Sequence, residues 1–268
     1  MKKPYLLPAA ALCLSVQASA YANSPFDGTW VADLDTQSGL ASDVYLVKDG
    51  NYSCATCEPR RSYRADGKPH PIPGDPDVVS ESVSITGPRT IVTHIVGPLL
   101  DRTTTMTVSA DDRTATYISL DHRPGIPGVL RTVYLARRTA PTPTGAHAVS
   151  GTWQGVRYVE VPPEVRTTVL RITGDRFSYS TPLGTSFTAR IGGDYVPIRS
   201  GASNGTTVAI RRSGQLQIEE RIKQAGQVIA IRTFTIAPDG RTLEIATADP
   251  SRGTTFRAIS RRAPAPSN

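Results

Sequence analysis

Gly28-Thr29-Trp30 returns as Gly151-Thr152-Trp153, and the chain that follows the two tripeptides matches as well. Val44-Tyr45-Leu46-Val47, then a turn and Tyr52-Ser53, is answered by Val169-Leu170-Arg171-Ile172, then Phe177-Ser178. Pro71-Ile72 recurs as Pro197-Ile198, and Val83-Ser84-Ile85 aligns with Val208-Ala209-Ile210. Thr107 to Thr114 (Thr-Val-Ser-Ala-Asp-Asp-Arg-Thr) is matched by Thr235 to Thr242 (Thr-Ile-Ala-Pro-Asp-Gly-Arg-Thr). Each copy closes on a double arginine, Arg137-Arg138 and Arg261-Arg262. A repeat this long is a whole domain, since a solenoid unit would have a period of roughly 20–50 residues. Residues 24–139 and 151–262 therefore read as two copies of one domain. Whatever one copy has and the other lacks is dispensable for the fold, so the differences are where function is to be sought.

Within each copy the periodicity is two. Residues 206–212, 215–222, 228–236 and 242–247 alternate apolar and polar, separated by Ser213-Gly214, Ala225-Gly226 and Pro238-Asp239-Gly240. These are turn sequences that supply positive φ or preset a bend. The first copy follows the same plan, and no stretch carries a helical stripe. The fold class expected is all-β: two tandem antiparallel meander β-barrels, because closure removes the edges that invite aggregation. A β-sandwich is the alternative. Lys68 to Asp77 is too rich in proline to join a central sheet. Ala140 to Ser150 reads as a stiff linker, and 263–268 as a disordered tail.

The Gly-x-Trp at the first strand of each copy resembles the start of calycins, the lipocalin and fatty-acid-binding-like barrels. That resemblance implies that Trp30 and Trp153 each plug one end of a barrel. It also implies that an arginine from the last strand, Arg138 or Arg262, lies across the indole. The wider pattern of the first copy, Tyr52-x-Cys54-x-x-Cys57-x-Pro59 followed by Ala65-Asp66-Gly67-Lys68, resembles a group of small exported bacterial proteins. It speaks to compartment and fold and lends no activity.

Residues 1–20 read as a signal peptide: Lys2 and Lys3, an apolar run from Leu6 to Val16, and Ala18-Ser19-Ala20 for cleavage. The apolar run is too short to span a bilayer, so the expectation is an exported chain, periplasmic or extracellular, that does not span a membrane. Net charge is +7, and +5 once Lys2 and Lys3 are gone. The arginines are scattered rather than gathered with aromatics on one face, which argues against nucleic acid as partner. With 38% hydrophobic and only 6% aromatic residues, the cores are expected to rest on Val, Ile, Leu and Thr.

Cys54-x-x-Cys57 is the sharpest local feature. Outside the leader these are the only cysteines, and in an oxidising compartment they are expected to pair as a staple. The second copy has Tyr179 and Pro182 in the aligned places, so the fold does not need the bridge. The alternative is a thiol-redox site, but a reactive CxxC usually opens a helix, and this one follows a strand. No metal is expected, since one CxxC and His70 make a poor zinc set. No nucleophile elbow, carboxylate pair or phosphate loop is present, so no catalytic residue and no cofactor are expected. Asp111-Asp112 and Asp239 are turn residues, and Glu219 and Glu220 point to opposite faces of one strand.

The function expected is therefore a non-catalytic binding or structural protein. It would hold a small apolar ligand or contact an envelope partner through loops, with inhibition of a secreted hydrolase as a further alternative. The expected contact surface comprises Arg60, Arg61, His70, Pro71 and Ile72, beside Cys54 and Cys57, because the second copy has not preserved these loops.

Overall fold

The computed structural model describes residues 24–75, 77–124, 126–200 and 205–264. The leader expected over 1–20 and residues 265–268 of the expected tail lie outside the described residues. The chain is all-β, 60% strand and 3% helix, and forms two nearly closed antiparallel barrels. A barrel, not a sandwich, is what the alternating strands make.

The first half contributes β1 (Gly28–Ala32), β2 (Ser42–Lys48), β3 (Asn51–Cys54), β4 (Arg61–Arg64) and β5 (His70–Pro71). It continues with β6 (Ser80–Gly87), β7 (Thr90–Gly97), β8 (Leu100–Val108), β9 (Thr114–Asp121) and β10 (Leu130–Arg138). The second half repeats them: β11 (Gly151–Glu160), β12 (Thr167–Thr173), β13 (Arg176–Ser180), β14 (Ser186–Arg190) and β15 (Val196–Pro197). β16 (Thr207–Gly214), β17 (Gln217–Gln224), β18 (Gln227–Ile236), β19 (Thr242–Asp249) and β20 (Thr254–Arg262) complete it, with one short helix, α1 (Pro163–Arg166). Tight turns set the hairpins: Asp49-Gly50 and Ala225-Gly226 both hold positive φ at two successive residues, as the favoured two-residue hairpin turn requires.

The sequence repeat and the barrel do not coincide. One sheet runs β4-β3-β2-β11-β10-β9-β8-β7-β6-β5, and the other β14-β13-β12-β1-β20-β19-β18-β17-β16-β15. The first strand of each copy is thus exchanged into the barrel built by the other. Trp153 pairs with Asp43 and Arg138, whereas Trp30 pairs with Thr168 and Arg262. The boundaries 24–139 and 151–262 are corrected accordingly. The first barrel is the continuous segment 42–160, and the second consists of 167–262 with the N-terminal strand added to it. The repeat pattern could not reveal this, because both first strands carry the same Gly-Thr-Trp and fit either acceptor.

The closed end of each barrel is a clamp. The Trp30 indole N–H donates to the Phe26 carbonyl at 2.9 Å, and that of Trp153 to Val149 at 2.8 Å. Arg262 lies 4.3 Å from the Trp30 ring centroid and Arg138 4.1 Å from that of Trp153, so the expected stacking is present but crossed between copies. The guanidinium also ties down the incoming chain, Arg262 donating to the carbonyls of Asp27 and Pro25, Arg138 to those of Ser150 and Ala148. This explains the glycine of Gly-x-Trp. A Cβ on Gly28 would stand 2.5 Å from Arg262 Nη1, and one on Gly151 2.7 Å from Arg138 Nη1.

Residues 140–150, expected as a spacer between domains, instead join β10 to its own neighbour β11 and cover the first barrel's closed end. Val149 and Ser150 are fully buried, and His147 bonds to the carbonyls of Val47 and Gly87 at 2.8 and 2.7 Å. The proline-rich stretch reaches the sheet only at its edge, where His70-Pro71 pairs with Ser80-Glu81. Those same edge pairs show that Glu81 matches Val208 and Val83 matches Ile210. The alignment of Val83 with Val208 was therefore two residues out, a shift that period-two alternation cannot detect.

The exchange carries a direct test. Trp30→Ala should cost about 3–5 kcal/mol, as truncating a buried tryptophan does. Amide hydrogen exchange should then show protection lost across β12 and β20 while β2 and β10 keep theirs. Loss in β2 and β10 instead would mean that each copy closes on its own first strand.

Candidate functional site

The exchange brings two crossovers together between the barrels. Residues 33–41 lead from β1 to β2, bonding first to β20 (Asp33 N–H to Ile259, 2.8 Å; Ser38 N–H to Arg257, 3.0 Å). They then lie against β11, where Gly155 N–H donates to Ala41 at 3.1 Å and Tyr158 N–H to Gln37 Oε1 at 3.2 Å. The second crossover, 161–166, carries α1. Between them is a groove of about 470 Å³ whose walls include Leu34, Leu40, Tyr158, Val165 and Phe256. A smaller cavity of about 240 Å³ lies in the mouth of the second barrel and shares Val165, Arg166, Phe256 and Ala258 with the groove. It reaches Tyr179, Phe234 and Arg232 inside that barrel.

The groove wall also carries Gln37, Tyr158, Arg166 and the ion pair of Arg252 with Asp249 at 3.7 Å, and Arg232 in the cavity faces Glu220. Arg166 Nη1 donates to the Ala32 carbonyl at 3.4 Å, and its buried Nε has no partner. Glu220 is 1% exposed and meets Arg232 through one contact of 3.4 Å. So long a contact does not offset the loss of water, and burial raises the Glu220 carboxyl above its ordinary range. As expected from strand geometry, Glu219 turns the other way, to Arg211 and Arg221 at 2.7 Å each.

The first barrel has a different interior. Tyr45 and Tyr52 stack with centroids 6.1 Å apart, and Tyr52 meets Tyr63 at 5.5 Å. Facing them, Tyr117 meets Tyr134 at 5.5 Å, and Tyr134 meets Tyr158 at 4.9 Å, at the groove wall. Gly155 makes this possible, since a Cβ there would run into the Tyr134 hydroxyl. Asp43, inward beside Trp153, is close enough to take hydrogen bonds from the hydroxyls of Tyr45 and Thr56. Burial raises its carboxyl, and its charge in turn helps raise the phenols of Tyr45, Tyr117 and Tyr134, after burial itself. Counted from the clamp tryptophan, the second barrel has Thr168 where the first has Asp43, Leu170 for Tyr45 and Phe177 for Tyr52. Ile245 and Ala258 stand for Tyr117 and Tyr134.

Cys54 and Cys57 are joined in a disulfide, with Cys54 1% exposed. The loop they close receives the second barrel: Arg252 donates to the Thr56 carbonyl at 2.7 Å. Of the expected contact residues, Arg60 and Pro71 are exposed. Arg61 instead turns inward to Glu81 at 2.7 Å and Asp75 at 3.3 Å, and Tyr63 donates to the same Glu81. His70 stacks on Tyr63 at 4.6 Å and bonds to Asp66, while Ile72 is buried. Those three hold the proline loop to the barrel, so the loop is anchored from within, with His70 still partly exposed. Trp30, Trp153, Arg138 and Arg262 form the closed barrel ends described above. Among the described residues no helix is long and apolar enough to cross a membrane, and no three His, Cys, Asp or Glu side chains gather as a metal site.

No known family matches the chain, and no curated protein is significantly similar to it.

Two measurements follow. Replacing both Cys54 and Cys57 by Ala should cost about 2 kcal/mol or less, since the loop is short, and should increase exchange of the Thr56–Glu58 amides. For Asp43 the folded-state carboxyl lies above its unfolded value, so the folded protein binds the proton more readily. Its contribution to stability is complete below the unfolded pKa and is lost as pH rises through the folded one. Asp43→Asn should therefore melt higher than the parent at pH 7, with the gap closing on acidification towards pH 4. A variant that melts lower at neutral pH would contradict this.

Proposed function

We propose that the protein is an exported, non-catalytic binding module of calycin-like barrels that holds a small, largely apolar ligand between its two halves. The groove bounded by both crossovers supports this reading most directly: its roughly 470 Å³ falls within the usual range of small-molecule sites, and apolar side chains make most of its wall. The shared wall with the second barrel's cavity lets an elongated molecule pass Val165 and enter beside Phe256. Gln37, Tyr158, Arg166 and Arg252 in that wall offer the polar contacts that would fix orientation. The leader-like sequence of residues 1–20 and the Cys54–Cys57 bridge support export. A redox role finds less support, because Cys54 is buried at the end of a strand with no helix N-terminus beside it.

Titration with N-phenyl-1-naphthylamine, a neutral apolar fluorophore, tests the reading. One saturable site per chain is expected. Val165→Asp, at a half-exposed position on α1, should weaken binding at least tenfold, about 1.4 kcal/mol, without lowering the melting temperature. Unsaturable binding, or a variant that binds as the parent does, would remove the groove from consideration.

A further inference from the structure

The polar interior of the first barrel calls for a reason, because the barrel does not need it. The second barrel closes by the same strand order with Thr168, Leu170, Phe177, Ile245 and Ala258 in the rows that hold Asp43, Tyr45, Tyr52, Tyr117 and Tyr134. Burying hydroxyls and a carboxylate in place of hydrocarbon is unfavourable unless each finds a partner. Here one hydroxyl finds none, and the carboxylate finds no cation. Tyr117 is 9% exposed and its hydroxyl, fully enclosed, bonds to nothing. Asp43, partly exposed, is within reach of the Tyr45 and Thr56 hydroxyls but makes no ion pair within 4.0 Å among the described residues.

The cations whose charge reaches this cluster are committed elsewhere. Arg252 is held by the Thr56 carbonyl at 2.7 Å and by Asp249 at 3.7 Å. Arg61 sits between Glu81 and Asp75, and Arg138 lies on Trp153. Arg102 is bound to Asp121 at 2.9 Å. What remains is a half-buried carboxylate in no ion pair, near tyrosines from β2, β3, β9, β10 and β11, with the enclosed Tyr117 hydroxyl free to accept. Tyrosine faces attract a cation through the ring quadrupole, and desolvation strengthens that attraction.

We propose that this cluster is a binding site for an organic ammonium ion. The Asp43 carboxylate meets its charge, the rings of Tyr45, Tyr117 and Tyr134 take its carbon substituents, and the Tyr117 hydroxyl accepts one N–H. The site lies inside the first barrel and is separate from the groove, so either can fail without the other.

Calorimetric titration of the full chain with methylammonium, butylammonium and 2-phenylethylammonium tests it, with 2-phenylethanol as the uncharged counterpart and benzyltrimethylammonium as a cation without N–H. At least one primary ammonium should bind saturably, one per chain, and at least tenfold more tightly than the alcohol. Asp43→Asn should lose that binding tenfold or more, keep N-phenyl-1-naphthylamine binding, and melt no lower than the parent. Tyr117→Phe should weaken the primary ammonium severalfold and leave benzyltrimethylammonium unchanged. Absence of saturable binding across the series, equal affinity for amine and alcohol, or undiminished binding to Asp43→Asn would overturn the site. Equal effects of Tyr117→Phe on both kinds of cation would overturn the role of its hydroxyl.

Discussion

Everything in this molecule depends on where two strands are laid. β1 and β11 are interchangeable in sequence at Gly-Thr-Trp, and each inserts between the second and last strands of the barrel that it does not precede. Little is lost by the exchange. The indole still donates to a carbonyl four residues back, and an arginine still lies across it. What changes is connectivity. The barrels can no longer part, because each crossover must bridge them, and the surface between them is made from segments that in a simple tandem array would be loops within each barrel. The groove is thus a product of the exchange and has no counterpart in a single copy.

The exchange also makes the halves unequal. The first barrel is one continuous stretch, so its strands pair mostly with sequence neighbours. The second needs its N-terminal strand from the far end of the chain, and Phe26 and Trp30 are buried within its core. Pairings of such separation are slow to form, because loop closure must precede any contact. Until β1 arrives, the slot between β12 and β20 presents two unpaired edges, the kind that pair with other chains. A strong clamp on Trp30 is what keeps that slot filled.

Much of the fold was legible: alternation, turn residues and duplication pointed to paired antiparallel barrels, and the Arg–Trp stacking followed from a recurring tripeptide. The exchange was not, since identical strands carry no information about which acceptor they fill. The site was legible only in part. Six of the ten tyrosines (45, 52, 63, 117, 134 and 158) lie in the first barrel, and Tyr45 against Leu170 and Tyr52 against Phe177 stood in plain alignment. Tyrosine fits a strand core as well as a site, so alignment alone does not separate the two roles. The two-residue slip at β6 hid the contrast between Glu81 and Val208. Only hairpin register, which needs coordinates, restored the rows.

The differences between the copies now separate by physical role. The disulfide loop takes Arg252 from the opposite barrel, and the proline loop is pinned by Arg61, Tyr63 and Ile72, so both act in holding surfaces together. The interior differences act against stability: a half-buried carboxylate without an ion pair and an unbonded hydroxyl replace threonine and isoleucine at matched positions. Within one chain, the second barrel serves as an internal control that the same architecture closes without them. A feature that weakens a fold and is absent from its own duplicate is best explained by something it binds. By that reasoning the centre of the first barrel, rather than the loops around it, is where this copy departed from its twin.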